Sequence, residues 1–147
     1  MDRVLESAKR AFCESGHLKR VLEGEWTTLY NEYGQELNGI RGRAGACSMT
    51  FTGYEIGVDL IEMQPGSAFP LHVHAGDHIL YILEGDGCVN IDGVDHTVVE
   101  GDTIFIPAEY PHGVKTLDRG LLPFRFLAFG HPHKHLDATD RMSLVKE

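Results

Sequence analysis

From Trp26 onward, short runs of β-branched and aromatic residues alternate with polar ones and are broken by Gly, Pro and Asp, a two-residue period that predicts strands and turns. The stretch before it has a different period. Val4, Leu5, Ala8, Ala11 and Phe12 recur at helical spacing, so Asp2 to Ser15 is predicted as one short amphipathic helix that Gly16 ends. Gly39 to Gly45, with glycines at 39, 42 and 45, reads as a flexible loop that Arg41 and Arg43 make locally positive, either solvated or a lid that contacts an anion. Tyr54 to Ile61 alternates as a strand with one face more buried than the other, and Pro65-Gly66 turns the chain. Leu71 to His74, His78 to Leu83, Cys88 to Ile91, Thr97 to Val99, Thr103 to Ile106 and Pro123 to Phe129 follow as strands, with a hairpin at Asp92-Gly93. At least seven short strands with regular turn signals imply an all-β antiparallel sandwich or barrel. One domain over residues 1–147 is expected: a helical segment at 1–25, a β-barrel at 26–130 and an exposed tail at 131–147.

Composition narrows the classes of partner. The 147 residues carry 13 Lys+Arg against 22 Asp+Glu, a formal charge of −9 with neutral histidines, and no stretch clusters the cations that nucleic-acid phosphates require. No apolar run approaches the roughly twenty residues that cross a bilayer. Asp2, Arg3 and Glu6 stand where a signal peptide needs apolar residues, and Cys13, Cys47 and Cys88 form no CxxC pair. A cytoplasmic protein with free thiols is expected.

Nine histidines are the remaining oddity, and their spacing matters more than their number. His72 and His74, two apart on a strand, project to one face as a chelating pair. After the turn Ala75-Gly76-Asp77, His78 opens the next strand with Leu80 and Ile82 on its own face, where a hairpin returns it to the first two. His112 follows Pro111 beyond the strand Thr103 to Ile106, where a loop brings it to the same space. Converging imidazoles bind Fe, Mn, Ni, Cu or Zn. His131, His133 and His135 also alternate and could form a second metal site, but Pro132 and Lys134 suggest an exposed tail; His17 and His96 read as surface residues.

These residues resemble the cupin superfamily, small double-stranded β-helix (jelly-roll) barrels. The first family motif, Gly-x5-His-x-His-x3-Glu-x6-Gly, is matched by Gly66, His72, His74 and Gly85, with His78 at the glutamate position. The second, Gly-x5-Pro-x-Gly-x2-His-x3-Asn, is matched by Gly101, Pro107 and His112, with Glu109 at the second glycine and Thr116 at the asparagine. The resemblance is to the four-histidine cupins and implies His72, His74, His78 and His112 as ligands of a divalent transition metal, Fe or Mn first, with Ni, Zn or Cu as alternatives. Four neutral ligands leave such a site at about +2, where a glutamate would leave it at about +1, so an anionic partner is favoured.

Two functions from different classes follow. One is a metal-dependent, dioxygenase-like oxidoreductase acting on a small anionic or enolisable molecule, with Leu60, Leu80, Ile82, Ile104 and Ile106 lining the barrel. The other is a binder of a small ligand without catalysis; metal-dependent isomerase or lyase chemistry is a third reading, put in doubt by the missing glutamate. Tyr30, Tyr33, Tyr54, Tyr81 and Tyr110 are candidates for substrate contacts, and Glu109 for orienting His112. Small cupins commonly dimerise, so a homodimer is expected, with Tyr81 on the outward parity as a candidate contact.

Overall fold

Strands whose alternate residues are apolar bury one face each, and here they do so by closing two antiparallel sheets over a shared core. A computed structural model describes residues 12–48, 56–117, 122–138 and 140–145. Its elements are α1 (Glu14–His17), β1 (Thr27–Tyr30), β2 (Glu36–Cys47), β3 (Gly57–Met63), β4 (Ala68–Val73), β5 (Asp77–Glu84), β6 (Gly87–Ile91), β7 (Val94–Val98), β8 (Thr103–Ile106), β9 (His112–Thr116), β10 (Phe124–His131) and β11 (Ser143–Leu144). One sheet has the order β1-β2-β3-β10-β5-β8, the other β11-β4-β9-β6-β7. Ile61, Met63, Ile82, Val89, Ile106 and Phe124 fill the space between them. No helix of the described residues is long and apolar enough to cross a membrane.

β5 follows its sequence pattern: Leu80 and Ile82 are buried on the side of His78, while Ile79 and Tyr81 face outward. β6 and β7 are joined at Asp92-Gly93, both with positive φ (49° and 85°), the two left-handed residues of a type I′ hairpin. Gly85, the last glycine of the first motif, has φ 78°, and a Cβ there would lie 2.8 Å from the Pro123 carbonyl oxygen.

Several expectations change. The predicted helix lies mostly outside the described residues; within them one turn, Glu14–His17, forms, and Gly16 is inside it. Of the strand expected over Tyr54 to Ile61, residues 54 and 55 lie outside the described part, and the strand there, β3, is buried on both faces. Arg41 and Arg125 on the flanking strands reach over the second face at Glu62, which accounts for the loss of alternation there. Gly39 to Gly45 is part of strand β2, with its cations already engaged: the guanidiniums of Arg41 and Arg43 stack on Trp26 at 4.0 and 3.9 Å. Glycine serves packing there, since a Cβ on Gly42 would meet Leu136 at 3.0 Å.

Arg41, Glu62 and Arg125 are directly opposite one another across β2, β3 and β10. Buried Glu62 accepts from Arg41 through Oε1 (2.7 and 2.8 Å) and from Arg125 through Oε2 (2.6 and 2.8 Å). Glu62→Gln would leave two guanidiniums facing a neutral amide. A loss of about 3 kcal/mol is expected, the low end for a broken buried pair because both arginines reach solvent. Thermal unfolding is the check, with a melting point lowered by roughly 6–12 °C.

The described residues after β10, 132–138 and 140–145, do not form an exposed tail; 139, 146 and 147 lie outside the described part. Leu136 and Met142 are buried in the core, and Ser143–Leu144 pairs with β4 at Val73 and His72. The Lys134–Asp140 ion pair (2.9 Å) and the bond from Leu144 N–H to Glu32 Oε1 (2.8 Å) hold the segment down. Its apolar anchors are too sparse for a local pattern, which is why Pro132 and Lys134 dominate its reading from sequence.

Candidate metal centre

β4 and β9 pair so that His72 and His112 are directly opposite, with ring centroids 4.1 Å apart. An irregularity in this pairing between Phe69 and His72 resets the strand's parity, so that residues three apart both point inward. His74, just beyond β4, brings its ring to 4.5 Å from that of His112. The metal-binding nitrogens of His72, His74 and His112 lie within 4.8 Å of one another, the one such cluster of three among the described residues. His112 therefore opens a strand and is held by sheet register, not by the loop expected.

His78 comes from the opposite sheet. Its ring stacks on His74 at 4.0 Å and 26°, and it pairs in register with Gly130, where a Cβ would lie 3.0 Å from His78 Nε2. It flanks the cluster without belonging to the group whose nitrogens converge.

Backbone carbonyls set the tautomers. The Nδ1–H groups of His72, His74 and His112 donate to the carbonyls of Pro70 (2.7 Å), Gly76 (2.8 Å) and Tyr110 (2.9 Å). Because a carbonyl only accepts, each Nδ1 carries the proton and each Nε2 keeps a lone pair. His74 Nε2 is buried without a hydrogen-bond partner. Burial, followed by the neighbouring imidazoles, pushes His72 down to about 3 and His78 to about 2; burial pushes His112 to about 4 and lowers His74 as well. Near neutral pH these rings do not take up protons, so the lone pairs are available to a metal ion. Tautomer, convergence and the unpartnered nitrogen all fit one.

The cluster opens into a cavity of about 90 Å³ walled by Ile61, Leu80, Ile106 and Phe126. Of the expected lining, Leu80 and Ile106 are there; Leu60, Ile82 and Ile104 are not, Leu60 because odd-numbered Asp59 and Ile61 hold the inward parity of β3. Asp59, His133 and Arg141 line the same cavity, none of them singled out by sequence spacing as part of the site. Asp59 is buried, and burial raises its carboxyl to about 6 against the pull of Arg141 and a backbone hydrogen bond from Gly45. His133 Nε2 lies 3.6 Å from Asp59 Oδ2 and is pushed down to about 4, mainly by burial. The three histidines of the segment do not converge: His133 enters the cavity, and His131 and His135 stay exposed.

Tyr30, Tyr33, Tyr81 and Tyr110 are exposed and line no part of the cavity; Tyr54 lies outside the described residues. Glu109 is exposed with φ 64°, the left-handed geometry for which the motif uses glycine, and the Tyr110 carbonyl orients His112 in its place. His96 is exposed as expected, whereas His17 is half-buried with Nε2 3.2 Å from the Ser48 carbonyl.

Two antiparallel sheets enclosing a small cavity, with three imidazoles converging at its edge, define a small-molecule-binding β-barrel able to hold a metal ion. The cupin domain family matches residues 59–130, and the chain is a member of the cupin superfamily. Among curated relatives, an uncharacterised protein of Methanocaldococcus jannaschii is 38% identical over 74 residues, covering 49% of this chain and 58% of that one. The dimethylsulfoniopropionate lyase DddW of Ruegeria pomeroyi is 36% identical over 81 residues, 55% of this chain and 51% of the lyase. The quercetin 2,3-dioxygenase of Bacillus subtilis is 28% identical over 97 residues, 58% of this chain and 29% of the dioxygenase. The matches thus span less than two thirds of each relative. A cupin-2 domain from Rhodospirillum rubrum shares the fold with TM-score 0.65 at 18% identity, over 95% of this chain and 84% of that one.

Proposed function

We propose that this chain is a metal-dependent enzyme that takes a proton from a small, anionic, enolisable molecule, with His72, His74, His112 and His78 as metal ligands and Asp59 as the base. The observation that carries this reading is the cavity itself, which a buried carboxylate and converging imidazoles line together. A bound divalent ion would polarise the substrate oxygen and stabilise the negative charge that develops as the proton leaves. Asp59, raised to about 6 by burial, is ionised at neutral pH yet basic enough to accept that proton on its carboxylate. The apolar wall from Ile61 to Phe126 keeps bulk water from competing.

Size favours small substrates. The cavity, about 90 Å³, is small beside the usual volume of a ligand pocket. It suits a three-ring flavonol poorly, and the resemblance to a dioxygenase supports oxygen chemistry less than the resemblance to a lyase supports elimination. Asp59 also supplies the base that the absent motif glutamate does not, which moves the reading from the dioxygenase-like one toward elimination or isomerisation.

The test is exchange of carbon-bound hydrogen in D2O, followed by NMR with oxygen uptake monitored in parallel, for metal-loaded protein and a panel of small hydroxy, oxo and β-substituted acids. Exchange or elimination without oxygen consumption is expected, rising as pH passes about 6. Asp59→Asn should reduce it by ~100-fold or more while leaving metal content intact. Stoichiometric oxygen consumption would instead establish an oxygenase, and saturable binding with neither activity a ligand-binding protein.

A further inference from the structure

The segment that closes the cavity brings a cation with it. Arg141 lines the cavity together with the histidines, with the field of its guanidinium felt at Asp59, His72, His74, His78 and His133. Among the described residues no carboxylate lies within ion-pair distance of it: the acidic residue beside it in sequence, Asp140, pairs with Lys134, and Asp59 acts on it only at longer range. A guanidinium taken from water and left without a close counter-charge is costly, and a fold retains one where a ligand supplies the missing anion. Its placement is fixed from both sides. Met142 is buried in the core, Ser143–Leu144 is hydrogen-bonded to the strand that carries His72, and the Lys134–Asp140 pair holds the preceding turn.

We infer that Arg141 is the recognition residue for a carboxylate on the substrate, gripping that group inside the cavity that it shares with the histidine cluster and Asp59 and so setting which carbon meets Asp59. The planar guanidinium matches a carboxylate through paired N–H donors, and no other cationic side chain among the described residues reaches the cavity unpaired, Lys134 being tied to Asp140. With the carboxylate held at Arg141, the rest of a small molecule extends toward the imidazoles. The substrate class is therefore a short carboxylic acid with a second polar group near the other end. This rests on the catalytic reading of the same cavity, but the recognition step does not require the metal.

Metal-free, 15N-labelled protein titrated with propanoate and, separately, with its neutral counterpart propanamide separates the two claims. Propanoate is expected to give saturable amide shifts at His133 and Met142, and propanamide none. Arg141→Gln should weaken propanoate binding by about 10-fold or more, and Arg141→Lys by less. Asp59→Asn should tighten it, since the competing carboxylate is gone. Arg141→Gln is expected to melt no lower than the wild type, because it removes a half-buried charge that lacks a close partner. Should that variant fold poorly, Arg141→Lys decides by keeping or losing the preference for propanoate over propanamide. Equal affinity for the two probes, wild-type affinity in Arg141→Gln, or no saturable shift with propanoate would overturn the inference. Carboxylate binding without any turnover of the loaded enzyme would leave it standing and defeat the catalytic reading alone.

Discussion

His112→Ala should abolish high-affinity metal binding, lowering affinity by more than ~100-fold, since loss of a group that only orients a ligand through a hydrogen bond costs ~10–100-fold. His112 sits at the centre of the cluster, with its ring against those of both His72 and His74, and deleting it leaves two converging nitrogens where there were three. Wild-type protein stripped of metal and reloaded with Fe(II), Mn(II), Ni(II) or Zn(II) is expected to take up about one ion per chain, measured by elemental analysis after gel filtration. Free metal at 100 times its dissociation constant stabilises the fold by about 2.7 kcal/mol, a rise in melting temperature of roughly 5–10 °C for a chain of this size. That rise should be missing in His112→Ala. His78→Ala separates three ligands from four: a loss comparable to that of His112→Ala makes it a ligand, and a loss below ~10-fold assigns it to packing against His74. A folded wild-type chain that takes up none of these ions would end the metal reading.

Acid should unfold the metal-free protein well above the pH at which carboxylates alone would do so. His72, His78, His112 and His133 are held between about 2 and about 4, against 6.5 for the free side chain, so below pH 6.5 the unfolded chain binds protons that the folded chain refuses. Their contribution to stability is present above 6.5 and is lost as the pH falls toward the folded values. His72 and His112, both buried, together remove roughly 3 kcal/mol per pH unit once the free imidazoles are protonated. Asp59 works in the other direction. Its folded value of about 6 lies above the ordinary 3.8, so its contribution is present below 3.8 and is lost as pH rises through 6. It returns only about 1.4 kcal/mol per unit between those limits, less than the two histidines take. Against a typical stability of about 5–15 kcal/mol, unfolding near pH 4–5 is expected. Near-UV circular dichroism against pH checks this; a flat signal from pH 7 to 4 would refute it. Bound metal should move the transition to lower pH, because it competes with protons for the same nitrogens.

The parts of this molecule that depend on local pattern were legible in the chain. Alternation placed His78, Leu80 and Ile82 on one face, the Asp92-Gly93 pair marked its hairpin, and the His-x-His spacing put His72 and His74 on one side. What escaped depends on contacts between residues far apart in sequence. Gly42 looks like loop punctuation until Leu136 is seen to occupy the space a side chain would take. Arg41 looks free until Glu62 and Trp26 are beside it. Asp59 and Arg141 are 82 positions apart and carry no motif. Their meeting in one cavity follows only from the fold of residues 131–145 over the barrel, held by two buried side chains and a two-residue strand.

That seat is shaped by omission. A Cβ at Gly57 would stand 2.5 Å from His133 Cδ2, one at Gly76 2.5 Å from the Pro132 carbonyl oxygen, and one at Gly130 3.0 Å from His78 Nε2. None of these three has a positive φ, so their backbones would accept other residues; only the missing volume excludes them. Drift in such a lineage is therefore restrained at positions with no chemistry of their own, and the cavity's capacity to acquire new substrates lies in the arc from residue 131 to 145 more than in the motif histidines.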